Sequence, residues 1–252
     1  MQAMMRIAVA LMFWCAIAAA QEDQTPRPPK KDTRGLLQVN RDYYDLAAAT
    51  GGDFYFWAAG EFATANLQIP IEHEEVVLSY GSFETERVFE IPVESGVRSL
   101  EVFAGAQRKD LAVLVRPDGV VVHERDSDAA VQSFQHMLIV TLRAPAAGTW
   151  RLELHGAGVF CVTAHVKPSD DGPELVKFDR QNCEAEISGK IEKPQVEFVA
   201  KDGSPIAHAA LQRTDDEHYS GHCSAPGVPS RVAITGVDAN GKPFRRVERG
   251  LR

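Results

Sequence analysis

Residues 138–166, LIVTLRAPAAGTWRLELHGAGVFCVTAHV, constrain the fold more than any other stretch of this chain. Side chains alternate at Ile139, Thr141 and Ala144, then at Trp150, Leu152 and Leu154, then at Phe160, Val162 and Ala164. A period of two is the mark of half-buried strands. Pro145–Gly148 and Gly156–Gly158 interrupt the pattern with small, turn-forming residues, so the spacing predicts three strands in series, a meander of the kind that builds antiparallel sandwiches. Nothing in it forms a catalytic constellation.

The N-terminus carries Arg6, an apolar run from Ile7 to Ile17, and Ala18-Ala19-Ala20 before Gln21, which predicts a secretory signal peptide over 1–20. The run is too short to span a bilayer, which takes about 20 apolar residues, and no later stretch approaches that length. Cys15 follows Met12, Phe13 and Trp14 rather than the small residues of a lipoprotein signal. The mature protein is therefore expected to be soluble, secreted, periplasmic or extracellular. A formal charge of −8 argues against a general binder of phosphate backbones, so no nucleic acid partner is expected. The basic residues concentrate at Arg27, Lys30, Lys31 and Arg34 among Pro26, Pro28 and Pro29, a composition that reads as a solvated linker over 21–35. Cys161, Cys183 and Cys223 remain after cleavage, and two can pair in an oxidising compartment. Cys161 sits within a strand pattern, where a buried thiol is expected. That favours Cys183 with Cys223, although spacing alone does not decide the pairing.

The rest of the chain divides into three parts. Over 36–62, Tyr43, Leu46 and Ala47 suit one face of a short helix begun near Asp42, Gly51-Gly52 stops it, and Phe54–Trp57 reads as a strand. Over 63–168, strands are expected at 67–71, 75–80, 87–92, 99–104, 112–116 and 120–124 before the meander, with Arg116-Pro117-Asp118-Gly119 as a turn. Over 169–252, strands are expected at 195–200, 206–213, 218–223, 231–237 and 244–247, with turns at Lys201-Asp202-Gly203 and Asp238-Ala239-Asn240-Gly241. The fold class is all-β: two consecutive antiparallel β-sandwiches behind a helix-strand segment.

Leu46, Ala47, Thr50, Gly51, Gly52 and Tyr55 resemble the "LA..TGG..Y" segment that ends a von Willebrand factor A domain. The rest of that domain, including its Asp-x-Ser-x-Ser metal signature, is missing from this chain. Leu100, Val102, Asp110, Leu111, Val113, Pro117, Gly119, Pro145, Gly148, Thr149, Trp150 and Leu152 are similar to positions of galactose-binding-type and pre-peptidase-type sandwiches. The ending RVAITGVDANGKPFRRV resembles the module that follows such a sandwich in hemicentin-type extracellular proteins. The resemblance implies an A-domain tail, a galactose-binding-like jelly roll and an Ig-like or fibronectin-like module in that order, with the A domain absent or carried on another polypeptide.

Candidate sites are few. Nucleophile elbows, zincin motifs, phosphate loops and dinucleotide fingerprints are all missing from the sequence. His218, His222 and Cys223, with His208 nearby, are the best arrangement for zinc, but strand geometry spreads residues four apart over about 13 Å. Surface histidines beside a disulfide are the expectation there. Acidic clusters at Glu72, Glu74 and Glu75, at Asp170 and Asp171, and at Asp215, Asp216 and Glu217 read as solvated loops and strand ends. No metal site is expected; Asp126 and Asp128 are the one pair kept as calcium candidates, because hard oxygen donors on a loop suit that ion, against the bare acidic loop that such a pair more often forms. Trp57 and Trp150 are expected in the core. Phe54, Tyr55 and Trp57 are also the residues that can meet a ligand or partner. No cofactor is expected. The functional expectation is a secreted, non-enzymatic binding or adhesion protein with a protein or carbohydrate partner. The alternatives are an accessory or truncated part of a secreted hydrolase and a structural component of an envelope assembly.

Overall fold

A computed structural model describes residues 39–50, 54–57, 61, 74–223 and 231–248, all of which fall in one of the chain's two compact units, Thr33–Arg252. The expected signal peptide, the basic linker, the Gly51-Gly52 helix stop and the strand at 67–71 lie outside the described residues. Helix α1 (Arg41–Thr50) precedes thirteen strands in two antiparallel sheets. Among the described residues no helix is long and apolar enough to cross a membrane.

The first sheet comprises β1 (Glu74–Phe83), β2 (Glu86–Val93), β3 (Ser99–Val115), β4 (Ala129–Ser133), β5 (Met137–Arg143) and β6 (Gly148–Lys167), in the order β1-β6-β3-β5-β4 with β2 also on β6. The 20-residue β6 is its spine. On one side β1 pairs with the second half of β6, from Glu74↔Val166 to Phe83↔Gly158. On the same side β2 pairs with the first half, from Glu86↔His155 to Val93↔Gly148. β3 runs along the other side for nearly the whole length. The expected meander is thus corrected: β5 and β6 are two strands, and Gly156-Ala157-Gly158 bends β6 without ending it. Opposite that bend β3 shifts register twice, between Ala106 and Arg108 and between Lys109 and Leu111. Gly156 has φ +154°, and a Cβ there would sit 1.9 Å from the Arg108 carbonyl oxygen, so only glycine lets the two bulged backbones come this close.

Because β3 and β6 bend together, the sheet folds over its own core in a sandwich-like arrangement. Trp150, Leu152 and Leu154 from before the bend share one cluster with Phe160, Val162 and Ala164 from after it, joined by Ile91, Leu100, Leu114 and Leu142. Burial of each large apolar side chain contributes about 1.5–3 kcal/mol. Trp150 is fully buried as expected, and its indole N–H donates to the Ala146 carbonyl at 2.8 Å.

The second sheet comprises β7 (Glu174–Asp179), β8 (Glu184–Ser188), β9 (Ile191–Val199), β10 (Pro205–Arg213), β11 (His218–Gly221), β12 (Arg231–Asp238) and β13 (Pro243–Val247), in the order β13-β12-β9-β10-β11-β8-β7. β10 is its pivot: Pro205–Ala210 pair with β9, and Leu211–Arg213 pair with β11. Phe178, Ile187, Val196, Phe198, Leu211, Tyr219, Ile234 and Phe244 form its core. Cys183 and Cys223 are joined in a disulfide across it, Cα to Cα 5.5 Å. The turns at 201–203 and 238–241 are where the sequence placed them, with Gly203 N–H donating to the Ala200 carbonyl and Gly241 N–H to that of Asp238.

Several expectations fail locally. Residues 120–124 form no strand, only the single bridge Val115↔Val121; Phe54–Trp57, expected as a strand, is in none, and the strands expected at 99–104 and 112–116 are one, β3. β4 and β8 carry few or small apolar residues, as in AAVQS and EAEIS, and so show no strand pattern in the sequence; β7, ELVKFD, is a further strand that was not expected. Helix α1 forms as expected but turns a different face inward: Tyr44 and Ala47 are buried, whereas Tyr43 is 63% and Leu46 60% exposed. Tyr44 decides the rotation. Its ring meets Phe54 and Tyr80 edge-on and its hydroxyl donates to the Gly81 carbonyl at 3.1 Å.

Candidate functional site

The two sheets meet along the free edge of β1, and charged side chains of the second sheet bind that edge. Alternation along Pro-Phe-Arg-Arg-Val in β13 buries Phe244 and Arg246 and directs Arg245 the other way. Arg245 donates from Nη1 to the Val76 carbonyl and from Nε to Glu197 at 3.0 Å. Arg231, at the start of β12, donates to the Leu78 carbonyl at 3.4 Å and lies over the Tyr80 ring. Burial pulls the Arg231 guanidinium below its ordinary pKa. Tyr80 N–H completes the edge by donating to the Lys201 carbonyl at 3.0 Å. Strand-edge groups that would otherwise be left without partners are thus satisfied.

Around this seam run three further ties. Arg246, 1% exposed, contacts Glu94 through Nη1 at 3.1 Å and through Nη2, and contacts Glu74 through Nε. Burial opposes its charge, but the hydrogen bond to Glu94 and the charges of Glu94 and Glu74 outweigh it and hold the guanidinium protonated. One cation faces two carboxylates, and burial drives Glu74 above the usual carboxylate range in spite of Arg246. Asp238 accepts from Ser95 N–H at 2.7 Å and from the N–H groups of Asn240 and Lys242 at 2.8 Å each. Burial resists its ionisation, and these donors nevertheless keep its pKa depressed. Arg87 reaches Asp202 at 3.0 Å. An apolar cluster of Leu78, Tyr80, Val159 and Cys161 with Val199, Ala233 and Val247 seals the centre, covered by Tyr44, Ala47 and Phe56.

Past Phe83 the edge continues as β2, and the sheets part along it and beside Val77–Ser79 of β1. The space between them is a cleft of about 520 Å³, within the usual range for ligand sites. It is bounded by Arg87–Glu90 and Pro92, by the turn Asp202–Pro205, by Thr235 and Gly236, and by Pro243–Arg245. Its charged groups are mostly committed to one another as Arg87–Asp202 and Arg245–Glu197. Glu90 is exposed and has no ion-pair partner among the described residues.

The residues singled out from the sequence lie elsewhere. Asp126 and Asp128 do converge, but on Arg116, whose guanidinium sits 3.0 Å from Asp126 and 2.7 Å from Asp128. The His123 N–H and then Arg116 hold Asp126 below its ordinary pKa, and Arg116 does the same for Asp128. The two calcium candidates thus share one side-chain cation, Arg116. Among the described residues no group of three or more His, Cys, Asp or Glu could hold a metal ion. His218 bonds Asp215 at 2.8 Å, and Cys223 is committed to its disulfide. The Glu217 N–H, with His218, draws Asp215 down to about 2. Phe54, Tyr55 and Trp57 lie half-buried on the first sheet: Phe54 meets Tyr44 and Phe56, Tyr55 meets Phe103, and Trp57 meets Phe134. Phe56 lies over Gly105, where a Cβ would be 2.5 Å from its ring. Glu74 and Glu75, expected in solvent, are respectively ion-paired at the seam and 3% exposed.

No protein-family model matches the sequence, and no curated protein matches it. Among solved structures, the Bacillus licheniformis lipase BlEst2 in propeptide form is similar at a TM-score of 0.40 and 14% identity, over 73% of this chain and 41% of that one. The chain therefore spans less than half the length of that protein, and a likeness of this size carries no conclusion.

The seam and the cleft were not read from the sequence. One signal was present. Two arginines stand side by side in a short strand, so alternation must bury one of them, and a buried arginine requires a carboxylate from elsewhere in the chain.

Proposed function

We propose that the protein is a non-enzymatic binding protein of the extracytoplasmic space, built from a galactose-binding-like sandwich and an Ig-like module, with the inter-sheet cleft as its ligand site. The observation that carries this reading is the state of the charged groups in the cleft. Arg87, Asp202, Glu197 and Arg245 are paired with one another across or beside the seam, so they hold walls in place and do not present a poised acid, base or nucleophile. Signal-peptide sequence and a disulfide are both suited to an oxidising compartment. The relation to hemicentin-type modules belongs to the same reading and rests on the residues quoted above.

Thermal unfolding of the purified mature protein against panels of sugars, divalent ions and peptides, run beside hydrolysis assays on simple esters, peptides and glycosides, tests the proposal. A ligand at a hundred times its dissociation constant adds about 2.7 kcal/mol to the folded state, a clear rise in Tm. Turnover of any of the substrates by the pure protein would overturn the non-enzymatic reading.

A further inference from the structure

We infer that the cleft takes an extended peptide segment of a partner protein, which adds as a strand to the open edge of β2 and places a Lys or Arg beside Glu90. The inference rests on the binding reading above and gives it a ligand chemistry.

Three observations lead to it. First, β1 and β2 form one continuous strand edge along β6, but the second sheet satisfies only the β1 part. Val76 O, Leu78 O and Tyr80 N have partners there, whereas among the described residues β2 pairs with β6 alone. Alternate N–H and C=O groups of β2 therefore face the cleft with no hydrogen-bonded strand beside them among the described residues, the arrangement that strand addition uses. Second, the cleft touches Arg87, Val88, Phe89 and Glu90 in succession. Successive strand residues point to opposite faces, so a void that meets four in a row runs along the backbone edge and not over one face. Third, the charge is one-sided. With Arg87 and Arg245 neutralised by Asp202 and Glu197, and Arg151, opposite Glu90 on β6, paired with Glu153, Glu90 is left as the cleft's exposed charge, beside Val88 at 46% exposure. A segment alternating apolar and basic residues complements that pair. Pro92 has no N–H to offer, so the usable edge ends before it.

Selection of a displayed library of randomised short peptides on the purified full chain tests the inference, with Glu90→Lys as the protein variant. Enriched sequences should alternate apolar residues with Lys or Arg, and Glu90→Lys should weaken them at least about tenfold while leaving Tm unchanged. A peptide-side test isolates the backbone: N-methylation of every second amide should abolish binding in one register and spare it in the other, which side-chain contacts alone would not do. Equal binding of both methylated forms, or no enrichment at all, overturns strand addition. If sugars or ions still shift the Tm in that case, the binding-protein reading survives and only this inference falls. Glu90→Gln keeps the shape and removes the charge, so it should give an intermediate loss. A loss of Tm in Glu90→Lys with none in Glu90→Gln would mark the former as a folding defect, and the methylation result would then decide.

Discussion

A guanidinium that is 1% exposed stays charged only while carboxylates surround it, and in Arg246 those are Glu94 and Glu74. Arg246→Ala would leave Glu94, itself 1% exposed, as an uncompensated buried charge, so the expected loss is about 3–5 kcal/mol in urea unfolding. Replacing the pair together, Arg246→Met with Glu94→Leu, should recover most of that loss, because attraction and desolvation penalty are removed at once. A double variant no better than Arg246→Ala would contradict this account. Asp126 and Asp128 likewise share a single guanidinium, that of Arg116.

At the scale of elements, one long strand, β6, brings residues from both sides of Gly156–Gly158 into a single core. Gly156→Ala would drive a methyl group into the Arg108 carbonyl, which belongs to the backbone and cannot swing aside. The expected cost is about 3 kcal/mol or more. Gly105→Ala meets the Phe56 ring, which can tilt, so it should cost less and act mainly by loosening the segment 54–57. Equilibrium unfolding of the two variants in parallel checks the order, and a reversed ranking would mean that the bend is not held by backbone contact.

For the molecule as a whole, the seam should make both sheets unfold together. A single calorimetric transition with equal calorimetric and van't Hoff enthalpies is expected, and two separable transitions would show that the seam contributes little. Acid should weaken the seam first. Asp238 and Asp202 both have depressed pKa values, so their contributions are full above the ordinary carboxylate pKa of 3.8 and fade as pH falls through the lower folded values. Glu74 is raised, so its contribution runs the other way: present below its ordinary value and lost as pH rises through the folded one. Asp238→Asn should therefore flatten the loss of stability as pH falls below about 4, measured as the urea midpoint against pH.

What the sequence determined by itself is local. Alternation at Trp150, Leu152 and Leu154 identified buried strand faces, and Lys201-Asp202-Gly203 and Asp238–Gly241 identified turns, because period and turn chemistry act between neighbours in the chain. It did not determine whether Gly156–Gly158 ends a strand or bends one, since that depends on the Arg108 backbone opposite. Nor did it determine which face of α1 is buried, since Tyr43 and Tyr44 differ only in what lies across from them. Arg246 meets Glu74 and Glu94, and Arg245 meets the Val76 carbonyl, each more than a hundred residues away in the chain. The cleft has no sequence signature of its own, because it is the space left where one sheet edge is bound by its neighbour and its continuation is not. Only tertiary structure brings those two edges together.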